Sequence, residues 1–182
     1  PKQRVWRRFG EKSARRGMDY GVAMHTLMQY VRFEACASLE ELEGEIDRLT
    51  AARVIPADLA PRLDRSAILA FFRSDLGRKL MTGRYIREFK FSILEDAVGY
   101  GEGLTGEQIL LQGVVDCALV EPDGITVVDF KTDYVTEATL PEVLARYRPQ
   151  VDTYSRALER IYEMPVKGTC LYFFHLKKLI AV

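Results

Sequence analysis

No apolar run in the chain approaches the ~18 residues of a membrane-spanning helix. The opening stretch PKQRVWRRFGEKSARR is basic with no apolar segment behind it, so no secretory signal is read from it. Cysteine is scarce: Cys36, Cys117 and Cys170 lie far apart, without a C-x-x-C pair. That argues against a structural zinc site and predicts reduced core thiols in an intracellular protein. G-x-x-x-x-G-K-[ST] is absent, which excludes a P-loop ATP site from this chain; the glycines at 99, 101, 103 and 106 lack the following lysine and read as a flexible loop. Charge of one sign is missing too. With 26 basic and 26 acidic residues there is no global pull towards nucleic acid. The local exception is residues 1–17, where Lys2, Arg4, Arg7, Arg8, Lys12, Arg15 and Arg16 meet only Glu11. That stretch reads as a phosphate-binding arm or as a solvated linker. An initial Pro1 suggests a segment cut from something longer, or a processed end.

What is present is an ordinary globular composition, 48% hydrophobic over 182 residues, enough for one domain with a real core. The first half reads helical: DYGVAMHTLMQYVRFEAC carries an apolar stripe, and SLEELEGEIDRLTAARV opens on Ser38 with Glu41 three residues on, a capping-box pattern. PADLAPRLDRSAILAFFRS gives a third helical segment, interrupted near Pro61. Then RYIREFKFSILE alternates as a strand, DAVGYGEGLTGEQ is a loop, and GVVDCALVEPDGITVVDFKTD reads as two strands about a turn. Beyond Thr139 the helical pattern returns in two stripes, Leu140–Val143–Leu144–Tyr147 and Val151–Tyr154–Leu158–Ile161. Pro149 between them predicts a kink or two helices. KGTCLYFFHL is a closing strand, with a further short one in KKLIAV. The expectation is a mixed α/β domain, a central sheet flanked by helices, with a helical N-terminal half.

Two aspartates interrupt the paired strands. Aspartate is depleted in strands and rarely buried without a partner. If Glu121–Gly124 is a tight turn with Val120 paired to Ile125, Asp116 stands opposite Asp129, their Cβ atoms roughly 5 Å apart. A three-residue loop with a glycine bulge would instead put Phe130 there. Two facing carboxylates repel and are costly to desolvate; a divalent cation removes both problems, and hard oxygen ligands suit Mg²⁺ or Mn²⁺. Lys131, two residues past Asp129, projects to the same face. Its ammonium can orient a water and stabilise developing negative charge, which makes a hydrolytic phosphodiester site.

Asp116 followed by VVDFKTD resembles the D…(D/E)-x-K signature of the restriction-endonuclease-like nuclease superfamily. RPQVDTYSRAL supplies Gln150 and Tyr154, the Q-x-x-x-Y pair of its RecB-type branch, and GVAMHTLMQ its G-x-x-x-H helix, with Gly21 and His25. The motifs span residues 21 to 154, and the likeness is greatest to the C-terminal nuclease domain of AddA-type helicase–nuclease subunits. The resemblance implies that His25, Asp116, Asp129 and the carbonyl of Phe130 hold Mg²⁺ or Mn²⁺. It gives Lys131 a catalytic role, Glu88 the place of the acid heading the first strand, and Gln150 and Tyr154 a site-supporting or DNA-contacting role. It implies an exonuclease more than a site-specific endonuclease, acting on DNA, in single-stranded form, in recombinational break repair. Its partners would be an N-terminal helicase part and an AddB-like second subunit, working in the bacterial cytoplasm near the nucleoid. Val22 stands where the family often has Thr, and EFKF lacks a frequent proline. The three cysteines do not supply an iron–sulfur cluster set. An inactive DNA-binding scaffold of the same fold is the alternative.

Overall fold

The computed structural model describes residues 7–8, 15–101 and 104–182. Most of the expected basic arm, residues 1–6 and 9–14, lies outside these, as do residues 102 and 103 of the glycine loop. Strands β1 (Arg7–Arg8), β2 (Arg84–Asp96), β3 (Gln108–Glu121), β4 (Gly124–Lys131), β5 (Val166–Phe173) and β6 (Lys178–Ala181) form one mixed sheet. One edge of β3 carries β2 antiparallel along most of its length; the other is shared by β1, parallel at Leu111 and Gln112, and β4, antiparallel from Cys117 to Glu121. β4 and β5 run parallel, and β6 closes the far edge. Arg7–Arg8, part of the expected arm, is thus a strand.

Helices α1 (Arg15–Tyr30), α2 (Leu39–Ala51), α3 (Arg65–Arg73) and α4 (Asp75–Thr82) cover one sheet face. Ser38 and Glu41 form the expected capping box on α2, and Asp64 caps α3 through the Ala67 amide. Helix α4 has no counterpart among the elements expected from the sequence. Ser74 caps it, and Gly77 allows it to start against α3, since a Cβ there would lie 2.1 Å from the Phe71 carbonyl oxygen. Helix α1 stops at Tyr30, short of Cys36, and Arg87 donates to the freed carbonyls of Met28 and Val31 at 3.0 and 2.6 Å. The opposite face holds α5 (Leu140–Tyr162), which runs unbroken through Pro149, so the two-helix alternative does not occur. The missing amide costs one backbone bond, while both apolar stripes pack on the sheet: Val143, Leu144 and Tyr147 near Leu171 and Phe173, and Tyr154 and Leu158 near Val115 and Val127. Such burial outweighs a local proline penalty of ~3 kcal/mol. Arg156 paired with Glu95 pins α5 to β2.

Glu45 on α2 is 1% exposed yet ionised. Its carboxylate accepts from the Arg48 guanidinium, the Arg32 guanidinium and the Arg32 amide. Those bonds, Arg48's first, overcome burial and hold its pKa down to about 2 from an ordinary 4.5. Because the folded-state value is depressed, the stabilisation is complete above pH 4.5 and is lost as pH falls towards 2. Glu45→Gln is expected to cost about 2–3 kcal/mol at pH 7. The penalty should shrink through that acid window, as read by urea unfolding at several pH values.

Candidate active site

The ladder between β3 and β4 has the tight-turn register, Val120 on Ile125, and ends at Cys117–Val128, one rung short of the two aspartates. From there β4 leaves β3 and stays with β5, with Asp129, Phe130 and Lys131 paired to Leu171, Tyr172 and Phe173. Where the backbone bonds stop, Asp116 takes over: its Oδ2 accepts the Phe130 N–H at 2.9 Å. The strands part between α1, which carries His25, and α5, which carries Gln150 and Tyr154.

A second irregularity meets the first. Tyr85 and Arg87 of β2 face the α1–α4 side, Arg87 lying over the Phe33 ring, whereas Phe89, Phe91 and Ile93 pack on the α5 side. β3 switches likewise between Cys117 and Val115. Since i and i+2 normally share a face, both strands reverse their pleat between the Arg87–Cys117 and Phe89–Val115 pairs, the interval that holds Glu88 and Asp116. Glu88 takes φ +49°, left-handed backbone that is uncommon for a residue other than glycine. Alternation in the sequence does not announce this reversal, and it sets Glu88 in the interval that holds Asp116.

His25 arrives from α1. Gly21, one turn earlier, lets that helix approach the chain after β4, because a Cβ on it would meet Thr132 Oγ1 at 2.9 Å. His25 Nδ1 lies 2.9 Å from the Gly21 carbonyl oxygen, and Nε2 lies 2.9 Å from the Phe130 carbonyl oxygen and 3.5 Å from Asp116 Oδ2. Gly21 O can only accept, so Nδ1 is placed to donate to it, while Nε2 faces two further acceptor oxygens. A proton or a cation must sit among them. A ring N–H held by a backbone carbonyl while the other nitrogen turns to a carboxylate is how metal-ligating histidines are oriented.

Asp129 is 2% exposed. It forms an ion pair with the Lys131 ammonium without hydrogen-bond alignment, so its buried Oδ2 has no hydrogen-bond partner. Burial and then the Asp116 charge raise its pKa. Burial also pushes on Asp116, but the His25 ring, the Phe130 amide and Lys131 outweigh it and hold that carboxylate below its ordinary value. Among the described residues no three His, Cys, Asp or Glu side chains are gathered closely enough to hold a metal by themselves. The converging donors are His25 Nε2, Asp116 Oδ2 and the Phe130 carbonyl; Asp129, the residue before Phe130, pairs its Oδ2 with the Lys131 ammonium. One imidazole nitrogen among oxygens, one of them anionic, is a donor set that fits a small divalent cation.

Lys131, 8% exposed, donates to Gln150 Oε1 at 2.9 Å, and Gln150 Nε2 donates to the Tyr154 hydroxyl at 2.6 Å. Tyr154 is also core, edge-on to Phe91. Gly113 makes that packing possible, for a Cβ there would come within 2.7 Å of the Phe91 ring. Two residues that sequence reasoning missed stand here: the Lys131 nitrogen lies 3.7 Å from the Tyr147 ring centroid, and the Tyr147 hydroxyl donates to Asp133 at 2.8 Å. Tyr147 precedes Gln150 by three on one helix, a spacing that signals a shared face; expecting a break at Pro149 hides it.

A mixed sheet with helices on both faces and its acids where two central strands separate is the restriction-endonuclease-like architecture. Over residues 3–180 the chain matches the PD-(D/E)XK nuclease superfamily, and it belongs to that superfamily. It is 35% identical over 178 residues to an ATP-dependent helicase/nuclease subunit of Bacillus mycoides (strain KBAB4), covering 92% of this chain and 14% of that protein. The protein of the same name from Bacillus cereus (strain AH820) is 34% identical over 186 residues, covering 96% of this chain and 15% of that protein. The chain thus spans about one seventh of the length of these relatives. Among the described residues no helix is long and apolar enough to cross a membrane.

Proposed function

We propose that the chain is a metal-dependent DNA nuclease domain that hydrolyses phosphodiester bonds in the processing of DNA ends for break repair. The observation that carries this is the convergence of His25 Nε2, Asp116 Oδ2 and the Phe130 carbonyl next to the buried Asp129–Lys131 pair. These three donors and the Asp129 carboxylate would hold Mg²⁺ or Mn²⁺, with Glu88 on β2 in the interval that also holds Asp116 of β3. When bound, such an ion supplies Lewis acidity to a phosphate oxygen and lowers the pKa of a water. Lys131 places its ammonium where charge builds on the phosphoryl group, and Gln150, braced by Tyr154, keeps it there.

The names of the relatives support a home for the domain in a larger helicase–nuclease polypeptide. In this reading a helicase part of the same chain and an AddB-like partner feed it DNA, in single-stranded form, for exonucleolytic cleavage in the cytoplasm. No iron–sulfur cluster enters this reading, because Cys36, Cys117 and Cys170 do not supply the cysteine set that such a cluster takes.

Thermal unfolding with and without metal tests the site apart from catalysis. At a Mn²⁺ concentration 100 times its dissociation constant, the chain should gain about 2.7 kcal/mol. The gain should vanish with EDTA and in Asp116→Asn/His25→Ala. Equal gain in that variant would place the ion elsewhere, and no gain in the unaltered chain would leave an inactive scaffold.

A further inference from the structure

We infer that Tyr147 is a positioning residue: the face of its ring seats the Lys131 ammonium and holds it in place independently of Asp129. The effect on turnover rests on the reading of Lys131 as the catalytic lysine; the seat itself does not.

A lysine ammonium on a four-carbon stem is compact and mobile, with three donors to satisfy. Here its surroundings are Asp129, Gln150 Oε1 and the Tyr147 ring, whose centroid is 3.7 Å away. Of these, Asp129 is unreliable as an anchor. Its carboxylate is also claimed by the cation site, and once committed there it attracts the ammonium less. The ring makes no such exchange. Its quadrupole attracts a cation, it neither titrates nor ligates a hard ion, and it acts over the nearly dry site that strengthens such contacts. The seat of Tyr147 and Gln150 therefore persists whether Asp129 faces the lysine or the metal.

The ring is itself held. Its hydroxyl donates to Asp133, two residues beyond Lys131 on the segment leaving β4, and Asp133 also lies 3.9 Å from Arg146. The Arg146 guanidinium stands 5.0 Å from the same ring centroid. Burial first, and then Asp133, push the phenol pKa up, which keeps the hydroxyl a donor. Val143, Leu144 and the body of Tyr147 pack on the cluster of Val135, Val151, Leu171 and Phe173, so the ring plane is set by packing as well. A purely structural tyrosine would do all this without facing a cation. What distinguishes the two roles is whether the aromatic face, and not the apolar bulk, matters.

Tyr147→Leu keeps the bulk and removes the face; Tyr147→Phe keeps the face and loses only the Asp133 bond. Both are compared with the unaltered 182-residue chain in DNA cleavage and in NMR spectra of the ¹³C-labelled lysine side chains, with the Lys131 signal assigned by Lys131→Arg. The expected result is an Lys131 Hε signal shifted upfield of the other lysines by the ring, present in Tyr147→Phe and lost in Tyr147→Leu. Turnover should fall about 5- to 30-fold in Tyr147→Leu with KM for DNA little changed, and return to within about threefold in Tyr147→Phe. Full turnover in Tyr147→Leu, an unshifted Lys131 in the unaltered chain, or Tyr147→Phe as impaired as Tyr147→Leu would each overturn the inference. An unaltered chain that never cleaves yet shows the shifted signal, lost in Tyr147→Leu, would support the seat and overturn the nuclease reading.

Discussion

Asp129→Ala is expected to lower cleavage at least about 10³-fold, equivalent to ~4 kcal/mol of transition-state stabilisation, with the fold intact. The two halves of that result have separate causes. Activity falls because, in the proposed site, Asp129 supplies the second anionic oxygen alongside His25, Asp116 and the Phe130 carbonyl. Stability holds because the carboxylate is a burden in the metal-free protein. It is 2% exposed, its Oδ2 meets only the Lys131 ammonium, and burial and the Asp116 charge both disfavour its ionised form. Removing it ends that desolvation and that repulsion, a gain on the order of 1–3 kcal/mol. Against this, Lys131 loses an anion but keeps Gln150 Oε1 and the Tyr147 ring. Cleavage rates beside urea unfolding in EDTA check both halves. Full activity in Mg²⁺ would sink the assignment of Asp129, and a large loss of metal-free stability would show that its ion pair, not its chemistry, accounts for its presence.

Lys131→Met should have the opposite signature. Cleavage falls by about 10²–10³-fold, the usual scale for losing one group that stabilises charge in the transition state. The stability gained from metal is at least as large as in the unaltered chain. Lys131 is not among the groups that would hold the ion, so its loss leaves the site whole; it also leaves two carboxylates near one another with no ammonium, and a cation then relieves more repulsion than before. Without metal, breaking the buried pair should destabilise the domain by about 3–5 kcal/mol. Melting temperatures across a Mn²⁺ titration measure this. A variant that loses cleavage together with the metal effect would make Lys131 part of the metal site, not a group acting beside it.

Much of this arrangement was legible in the chain because it rests on local spacing. The tight turn at Pro122–Asp123 fixes the register, and Lys131 follows Asp129 by two and so shares its face. Gln150 and Tyr154 are one helical turn apart, and they are hydrogen-bonded. The capping box at Ser38 and Glu41 is where the pattern puts it. Features that depend on tertiary approach were not legible. Nothing in VVDFKTD says that the ladder breaks one rung before Asp129, since that reflects Asp116 taking the Phe130 amide. The shared pleat reversal at Glu88 and Asp116 is a property of two strands together. Gly21 reads as an ordinary helix glycine until Thr132 is seen against it. Pro149 predicts a break that packing on both sides overrides, and that expectation conceals Tyr147. Helix α4 is hidden because Gly77 lowers helical propensity where close packing requires it.

The measurement that tests the central claim most directly is cleavage of end-labelled single-stranded DNA by the purified chain in Mg²⁺ or Mn²⁺, alongside EDTA and Lys131→Ala. The account predicts shortened products with the metal alone and none in either control. Cleavage that survives EDTA or the Lys131 substitution would contradict it, because hydrolysis would then arise without the cation between the aspartates or without the lysine seated beside them.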